Sequence, residues 1–215
     1  MKEYYSKRAA EYESIYYRND PARQSEQSKI KDVLKVLFRN RTVLEIACGT
    51  GYWTEAIASV AREVTGLDAS SEVLEIAKSK GVAAKFVLGN AYDLSTVEGK
   101  FDSSCANFWF SHIEKVNIPK FLTSLHQRLP NGSIIFMADN VYIPGLGGTL
   151  VEKPDAPDTY KLRELSDGST YEIVKNYYTC DTLKTIFKDL SDDLHIEFGQ
   201  CFWWLTYKTK KPYVG

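Results

Sequence analysis

The sequence predicts a single α/β domain, built on an open and mostly parallel sheet of seven strands with helices on both faces. Three observations predict it. Short apolar segments alternate with segments of helical periodicity between residues 42 and 138, a glycine-containing loop follows the first apolar segment, and two adjacent β-rich segments lie near the end of the chain. Alternation with short polar links is typical of parallel strands joined by helices. A length of 215 residues fits one such domain.

The predicted strands and helices follow one another along the chain. Two helices come first, over residues 4–17 and 24–38. The strands of the alternating region are predicted at residues 42–47, 63–68, 84–88, 101–107 and 133–138. The helices of this region are predicted at residues 53–61, 71–80 and 118–129. A last helix over residues 182–190 precedes strands over 195–199 and 201–208, which we expect to form an antiparallel hairpin at the sheet edge.

The segment over residues 141–170 departs from this alternation. It holds glycine and proline at many positions and shows little periodicity. Because so long a stretch inside a compact domain is usually functional or partly disordered, we predict an irregular insertion that determines the choice of substrate.

Composition excludes several classes of function. Lysine and arginine number 27 against 28 aspartate and glutamate, a formal net charge of -1, so no basic field is expected for nucleic acid. The four cysteines lie far apart without metal-ligand spacing, which predicts no metal site. The sequence contains no run of about 18 apolar residues, so no membrane span is predicted. We expect a cytoplasmic protein, a monomer or homodimer, that acts on a small molecule.

The loop after the first strand is the most informative feature. Residues 45–51 place small side chains where a strand turns into a helix, and Gly49 and Gly51 allow positive φ and close approach of a ligand to the backbone. Asp68 ends the second predicted strand. An acidic residue at that point normally accepts hydrogen bonds from both hydroxyls of a ribose. Together, loop and acid predict a nucleoside-bearing cofactor at the carboxyl edge of the sheet.

A nicotinamide dinucleotide is the obvious alternative cofactor. Its fingerprint needs a third glycine after the pair, but Gly51 is followed by Tyr52, Trp53 and Thr54. Because bulky side chains here would crowd a pyrophosphate, a nicotinamide-dependent oxidoreductase is the less favoured interpretation.

At these residues the sequence resembles the class I S-adenosylmethionine-dependent methyltransferases. Residues 43–51 are similar to the family's first motif, D/E-x-G-x-G-x-G, with Ala47 in place of the first glycine. Residues 89–91 match the stretch that lies beside the adenine, and residues 101–107 match the fourth-strand motif. The resemblance implies a Rossmann-like methyltransferase fold, with S-adenosylmethionine as cofactor and S-adenosylhomocysteine as product.

The resemblance also implies an organisation of the chain. We expect an N-terminal helical lid (1–40), a cofactor-binding core (42–139), an insertion on the substrate side (141–175) and a C-terminal helix with a hairpin (176–215). The motifs and the aromatic residues near them predict these cofactor-binding residues: Tyr12, Tyr16, Arg23, Glu45, Ala47, Cys48, Gly49, Gly51, Trp53, Asp68, Ala69, Asn90, Ala91, Asn107 and Phe108.

Similarity to a narrower group suggests the acceptor. Residues 49–54, 108–113 and 163–175 resemble bacterial small-molecule O-methyltransferases of natural-product pathways, among them a phosphonate O-methyltransferase. Arg163 and Lys175 in this pattern are predicted to bind a carboxylate, phosphate or phosphonate, together with Trp109. The implied reaction is transfer of a methyl group to an oxygen, or a nitrogen, of a small polar or anionic metabolite.

Two residues are predicted to be catalytic. His112 follows the fourth strand at the edge where the acceptor must approach, and an imidazole can accept a proton at neutral pH. Asp139 ends the fifth strand and is a candidate base, orienting group or turn cap. His126 and His195 are predicted to be structural or surface residues.

Two further interpretations stay open at this point. The chain could be an S-adenosylmethionine-binding module that regulates a partner without catalysis, which the presence of Asp68 and His112 disfavours. Methylation of nucleic acid is disfavoured because residues 107–110 read Asn-Phe-Trp-Phe, where an Asn/Asp-Pro-Pro-Tyr/Phe motif would stand.

Overall fold

A computed structural model describes residues 13–210 of the chain. The core strands are β1 (Thr42–Ile46), β2 (Glu63–Asp68), β3 (Lys85–Leu88), β4 (Ser103–Asn107) and β5 (Ile134–Asn140). The helices are α1 (Pro21–Leu37), α2 (Tyr52–Ala58), α3 (Ser71–Ser79), α4 (Ile118–Gln127) and α5 (Cys180–Phe187). The remaining strands are β6 (Thr149–Glu152), β7 (Thr159–Glu164), β8 (Thr170–Val174), β9 (Ser191–Phe198) and β10 (Phe202–Thr209).

The main sheet has seven strands in the order β3-β2-β1-β4-β5-β10-β9. The first five are parallel, and β10 pairs antiparallel with both β5 and β9. This confirms the predicted seven-stranded sheet with a closing hairpin at its edge. Strands β1 to β3 are added towards one edge of the sheet, and β4 and β5 towards the other. The carboxyl ends of β1 and β4 therefore border the crevice where ligands bind in open α/β sheets.

Apolar side chains cover both faces of this sheet. On one face α4 and α5 bury Phe121, Leu125 and Phe187 against it, and on the other α1 and α2 bury Ile30 and Trp53. Strands β1 and β4 are therefore buried along nearly their whole length, as parallel strands between two helical layers must be. None of the helices within residues 13–210 has the length and apolar character needed to cross a bilayer.

The N-terminal region differs from the prediction. Residues 13–15 form one 3-10 turn, so the helix predicted over residues 4–17 is wrong at its C-terminal end, because Tyr16 instead stacks on Tyr52 with ring centroids 3.9 Å apart. Residues 4–12 of that prediction lie outside the described residues. Helix α1 begins three residues earlier than predicted, since Asp20 caps it by accepting a hydrogen bond from the Arg23 N–H and Pro21 occupies its first turn.

The insertion is more regular than predicted. Strands β6, β7 and β8 form a separate antiparallel sheet in this order, where the sequence predicts an irregular segment. Hydrophobic alternation does not reveal it because the pattern is inverted: Lys161 is 1% exposed while its neighbour Leu162 is 43% exposed. The inward face of this small sheet carries cations, and period-two patterning detects only apolar faces.

Candidate active site

The loop after β1 turns through three residues of positive φ. Ala47, Gly49 and Gly51 have φ values of 53°, 56° and 80°. Gly51 is the N-cap of α2, and a Cβ added there would lie 3.3 Å from the Cβ of Ala77. Ala47 adopts a conformation that favours glycine, which explains why the family motif has glycine at this position.

Asp68 is fixed at the end of β2 by two backbone groups. Its Oδ2 accepts a hydrogen bond from the Gly49 N–H at 2.9 Å, and its Oδ1 accepts one from the Ser70 N–H at 3.0 Å. Burial raises the pKa of this carboxyl, and the hydrogen bonds from the backbone oppose that rise. Asp68 therefore joins the glycine loop to the start of α3.

A cavity of about 180 Å³ opens beside Asp68, and we call it the Asp68 cavity. Tyr92 and Trp109 form an aromatic edge-to-face pair on its wall, with ring centroids 6.0 Å apart. The indole N–H of Trp109 is buried and has no hydrogen-bond acceptor among residues 13–210. The cavity is lined by Ala47, Gly49, Leu67, Asp68, Ala69, Ser70, Val73, Asn90, Ala91, Tyr92, Phe108, Trp109 and His112.

A second cavity, of about 90 Å³, lies on the other side of the loop after β4, and we call it the cationic cavity. Arg18, Arg23, Arg163 and Lys175 line it, and its lining within residues 13–210 contains no carboxylate. The other lining residues are Ile15, Tyr16, Phe108, His112, Asn140, Val141, Ile143, Leu146, Gly147, Ile173, Tyr177 and Phe202.

Phe108 and His112 line both cavities. Phe108 directly follows β4 with a positive φ of 57°, an uncommon conformation for a bulky residue and one typical of functional sites. Its ring packs against Trp53 at 5.5 Å and against Phe202 at 5.1 Å. The wall between the two cavities is therefore held by aromatic packing from α2 and β10.

His112 ends the 3-10 turn Phe110–His112 and is buried. Its Nδ1 lies 2.8 Å from the Val174 carbonyl oxygen. Since a carbonyl can only accept, Nδ1 carries the proton and Nε2 is the accepting nitrogen of the neutral ring. Burial, reinforced by the charge of Lys175, lowers the pKa of His112 well below its ordinary value, so the imidazole is neutral at pH 7.

Asp139 and Lys175 form a fully buried ion pair behind His112. Lys175 Nζ lies 2.9 Å from Asp139 Oδ1 and 2.6 Å from the Ser111 hydroxyl oxygen. Asp139 also accepts hydrogen bonds from the Ser111 N–H at 2.8 Å and from the Asn140 N–H at 2.8 Å. Burial opposes ionisation of Asp139, but the neighbouring Lys175 ammonium holds its pKa below the usual range. Asp139 lines neither cavity and connects β5, the turn before His112 and Lys175.

Only some of the predicted cofactor residues line the Asp68 cavity. Those that do are Ala47, Gly49, Asp68, Ala69, Asn90, Ala91 and Phe108. Tyr16 and Arg23 line the cationic cavity instead, and Trp109, predicted to bind the acceptor, lines the Asp68 cavity. Arg163 and Lys175 meet in the cationic cavity as predicted. Tyr12 lies outside the described residues.

Five predicted cofactor residues line neither cavity: Glu45, Cys48, Gly51, Trp53 and Asn107. Glu45 is 1% exposed and accepts a hydrogen bond from the Thr54 hydroxyl at 2.6 Å, which joins β1 to α2. Its burial raises the pKa of Glu45 to about 7. Trp53 donates to the Tyr16 hydroxyl at 3.3 Å and supports Phe108 from behind.

Several lining residues were missed by the sequence predictions. Tyr92 stands directly after the predicted stretch 89–91, so the position of that motif is the signal that could have found it. Arg18, Ile143 and Tyr177 line the cationic cavity from segments without any motif. No arrangement of three or more His, Cys, Asp or Glu side chains suited to a metal ion occurs in the part of the chain that the structure describes.

Comparison with known proteins finds a family match in the middle of the chain. Residues 43–132 match the family described as a methyltransferase domain, and this range runs from β1 through α4 and includes Asp68. Residues 43–132 thus correspond to a methyltransferase domain. The predicted resemblance to enzymes that transfer methyl groups from S-adenosylmethionine is confirmed for these residues.

Relatives by sequence match this same core. The chain is 32% identical over 107 residues to a demethylmenaquinone methyltransferase of Bacillus licheniformis, covering 45% of this chain and 44% of that protein. It is 31% identical over 146 residues to the uncharacterized protein MJ1252 of Methanocaldococcus jannaschii, covering 66% of this chain and 53% of that protein. The chain thus spans about half the length of the curated relatives it matches.

Solved structures share the whole fold. A DhpI–SAH complex superposes with a TM-score of 0.78 at 23% identity, covering 96% of this chain and 94% of that one. The PH0226 protein from Pyrococcus horikoshii OT3 superposes with a TM-score of 0.75 at 17% identity, covering 98% and 100%. A DhpI–SAM–HEP complex gives 0.75 at 21% identity, covering 95% and 94%. These likenesses confirm the predicted fold class.

Proposed function

We propose that this protein transfers the methyl group of S-adenosylmethionine to an oxygen of a small anionic metabolite. The observation that carries the proposal is the shared wall of the two cavities. Phe108 and His112 border both a cavity built around Asp68 and a cavity built from cations. Methyl transfer is an in-line displacement that needs donor and acceptor on either side of one short gap, and two cavities meeting at one wall meet that need.

The residues of the Asp68 cavity fit an adenosyl compound. The fixed carboxylate of Asp68 suits the two ribose hydroxyls, and the Tyr92–Trp109 pair with its unsatisfied indole N–H suits a flat heteroaromatic ring with acceptor nitrogens. The neighbouring complexes of DhpI with SAH and with SAM support the same assignment. When bound, S-adenosylmethionine supplies a methyl group already activated on a sulfonium.

The charges of the cationic cavity select the acceptor. Its lining carries four cations, one of which, Lys175, is paired with the buried carboxylate of Asp139 at 2.9 Å. Asp20 lies 3.8 Å from Arg23 and offsets a second cation only in part, since it is 40% exposed. Arg23 and Lys175 are buried, Arg163 is partly buried and Arg18 is exposed. Four cations gathered in the lining of one cavity favour a ligand that brings negative charge, such as a carboxylate, phosphate or phosphonate. The volume of about 90 Å³ restricts this ligand to a small molecule.

The chemistry at the shared wall follows from the state of His112. A neutral imidazole with its Nδ1 proton held by Val174 presents Nε2 as an acceptor. Its lowered pKa makes it a weak proton acceptor, and an acceptor oxygen that is already anionic needs no base. We therefore assign His112 to orienting the acceptor molecule at the wall, with Nε2 accepting a hydrogen bond from a hydroxyl group of that molecule and a separate anionic oxygen acting as the nucleophile.

Asp139 is assigned a different part from the predicted base. Its hydrogen bonds go to Ser111, Asn140 and Lys175, and it borders neither cavity. We propose that it anchors Lys175 and the turn that carries His112. The cationic cavity is built from residues 15–23 and 140–177 in large part, outside the matched range 43–132, which supports the proposed lid and substrate-side insertion.

The proposal is tested by methyl transfer from radiolabelled S-adenosylmethionine to a panel of small phosphonates, carboxylates and neutral alcohols. We expect transfer to an anionic compound, a KM that rises at least about tenfold in Arg163→Met, and no change in Arg39→Met, whose arginine is exposed. His112→Gln should lower kcat without abolishing it. Transfer to neutral alcohols alone would show that the cations serve another purpose. Complete loss of turnover in His112→Gln would show that the acceptor needs a base.

A further inference from the structure

Glu26 of α1 is a buried carboxylate that the proposed chemistry does not use. It is 7% exposed and accepts hydrogen bonds from three consecutive backbone N–H groups, those of Gln200 at 2.6 Å, Cys201 at 3.1 Å and Phe202 at 3.0 Å. These groups lie in the turn after β9 and at the first residue of β10, at least 174 residues further along the chain. Successive N–H groups that converge on one anion form a compact and strong anchor. Glu26 therefore ties the first helix to the edge of the sheet.

Gly199 leaves the space that this anchor requires. A Cβ added at Gly199 would lie 2.4 Å from the carboxylate carbon and from both carboxylate oxygens of Glu26. Gly199 is not among the glycines with positive φ, so its backbone conformation does not demand glycine. An alanine at this position thus has one specific consequence: it displaces the Glu26 carboxylate from the turn.

The anchor fixes a pair of residues in the cationic cavity. Arg23 lies three residues before Glu26 on α1, and its guanidinium carbon sits 4.7 Å from the centre of the Phe202 ring. Both Arg23 and Phe202 line the cationic cavity. Glu26 thus holds the backbone of Phe202 and the helix that carries Arg23 at once.

We propose that Glu26 is a positioning residue that holds Arg23 against Phe202 and so aims Arg23 into the cationic cavity. Only the consequence for ligand binding rests on the proposed function. Asp20 contributes little to this placement, because its nearest oxygen is 3.8 Å from Arg23 Nε and the carboxylate is partly exposed.

The placement of Arg23 is tested by NMR, without any substrate. The Arg23 Nε–Hε resonance, assigned with Arg23→Lys, should show an upfield ring-current shift in the wild-type protein because the guanidinium lies over Phe202. Glu26→Gln and Gly199→Ala should each remove this shift, while Glu55→Gln, which changes an exposed residue of α2, should keep it. In a Glu26→Ala background, Gly199→Ala should have no further effect, because the carboxylate that it displaces is gone.

Binding of inorganic phosphate, titrated by calorimetry with S-adenosylhomocysteine present, tests the consequence. We expect the affinity to fall about tenfold in Glu26→Gln and in Gly199→Ala, and to stay unchanged in Glu55→Gln. If the wild-type protein binds no phosphate while the Arg23 resonance moves as expected, the anionic acceptor of the proposed function fails and the positioning role stands. If the Arg23 resonance stays unmoved in both Glu26→Gln and Gly199→Ala, the positioning role is overturned, regardless of the affinity measured for phosphate.

Discussion

Replacement of Asp139 by asparagine isolates the charge of the buried ion pair behind His112. The two side chains have nearly the same shape, so the packing of the fully buried site is kept. The change removes the negative charge beside the Lys175 ammonium, 2.9 Å away. It also turns one carboxylate oxygen into an amide NH₂ group, so either Ser111 N–H, or Lys175 with Asn140 N–H, loses its acceptor.

The expected cost follows from the burial of both partners. Their side chains are 4% and 0% exposed, so water cannot replace the lost charge. Breaking a buried pair by removing one partner typically costs about 3–5 kcal/mol. For a domain of this size, each kcal/mol lowers the Tm by roughly 2–4 °C, so we expect a decrease of about 6–20 °C.

Urea unfolding followed by fluorescence measures this cost, with Asp193→Asn as the matched control. Asp193 pairs with Lys208 at the surface, where both side chains are more than half exposed, so the loss of this pair should leave the free energy of unfolding nearly unchanged. Adding Lys175→Met to Asp139→Asn should restore part of the stability, since no uncompensated charge then remains buried. If Asp139→Asn alone costs less than about 1 kcal/mol, the reasoning that makes Asp139 an anchor is refuted.

Two further predictions concern stability. Ala47→Gly relieves the strain of the positive φ of 53° at the first loop position, which costs an L-residue roughly 1–2 kcal/mol. Glycine adds chain entropy to the unfolded state, which costs roughly 0.5–1 kcal/mol, so the Tm should stay level or rise slightly. A marked decrease in the Tm would contradict the strain argument. Burial lowers the pKa of His126 to about 4, so the unfolded chain binds more protons below about pH 6.5 and stability should fall between pH 6.5 and 4. His126→Gln should reduce the slope of that dependence in urea titrations, with the buried His112 supplying part of the remainder, and the exposed His195→Gln should not reduce it; equal slopes in all three proteins would contradict the assignment.

The predictable part of the fold is the part where side-chain pattern and burial agree. Strand β2 matches its prediction at both ends, because the uncharged, buried run from Val64 to Leu67 has a charged residue at each end, Glu63 and Asp68. The β6–β8 sheet escaped prediction because Lys161 points inward and Leu162 outward. Residues 16–17 were expected in a helix, but the stacking of Tyr16 on Tyr52 depends on a contact between residues 36 positions apart, which local periodicity does not contain.

The residues of the candidate site also differ in how far the sequence predicts them. Many residues of the Asp68 cavity lie at the ends of strands or directly after them, so three sequence features, the glycine loop, the acid that ends β2 and the stretch 89–91, locate Gly49, Asp68 and Asn90. The cationic cavity collects Arg18, Ile143 and Tyr177 from segments distant in sequence and without a motif. No local pattern distinguishes Arg18 from a solvated arginine, so only the tertiary structure reveals that these side chains converge with the predicted Arg163 and Lys175.

The central claim is that Asp68 builds the donor site beside the wall formed by Phe108 and His112. Calorimetric titration with S-adenosylhomocysteine tests it most directly, using the wild-type protein, Asp68→Ala and, as a control, Asp189→Ala, which changes an exposed aspartate. We predict micromolar binding by the wild-type and Asp189→Ala proteins, and a loss of at least about a hundredfold in Asp68→Ala, since two charge-assisted hydrogen bonds are removed. Equal affinity in Asp68→Ala, or no binding by any of the three, would contradict the assignment of this cavity to the methyl donor.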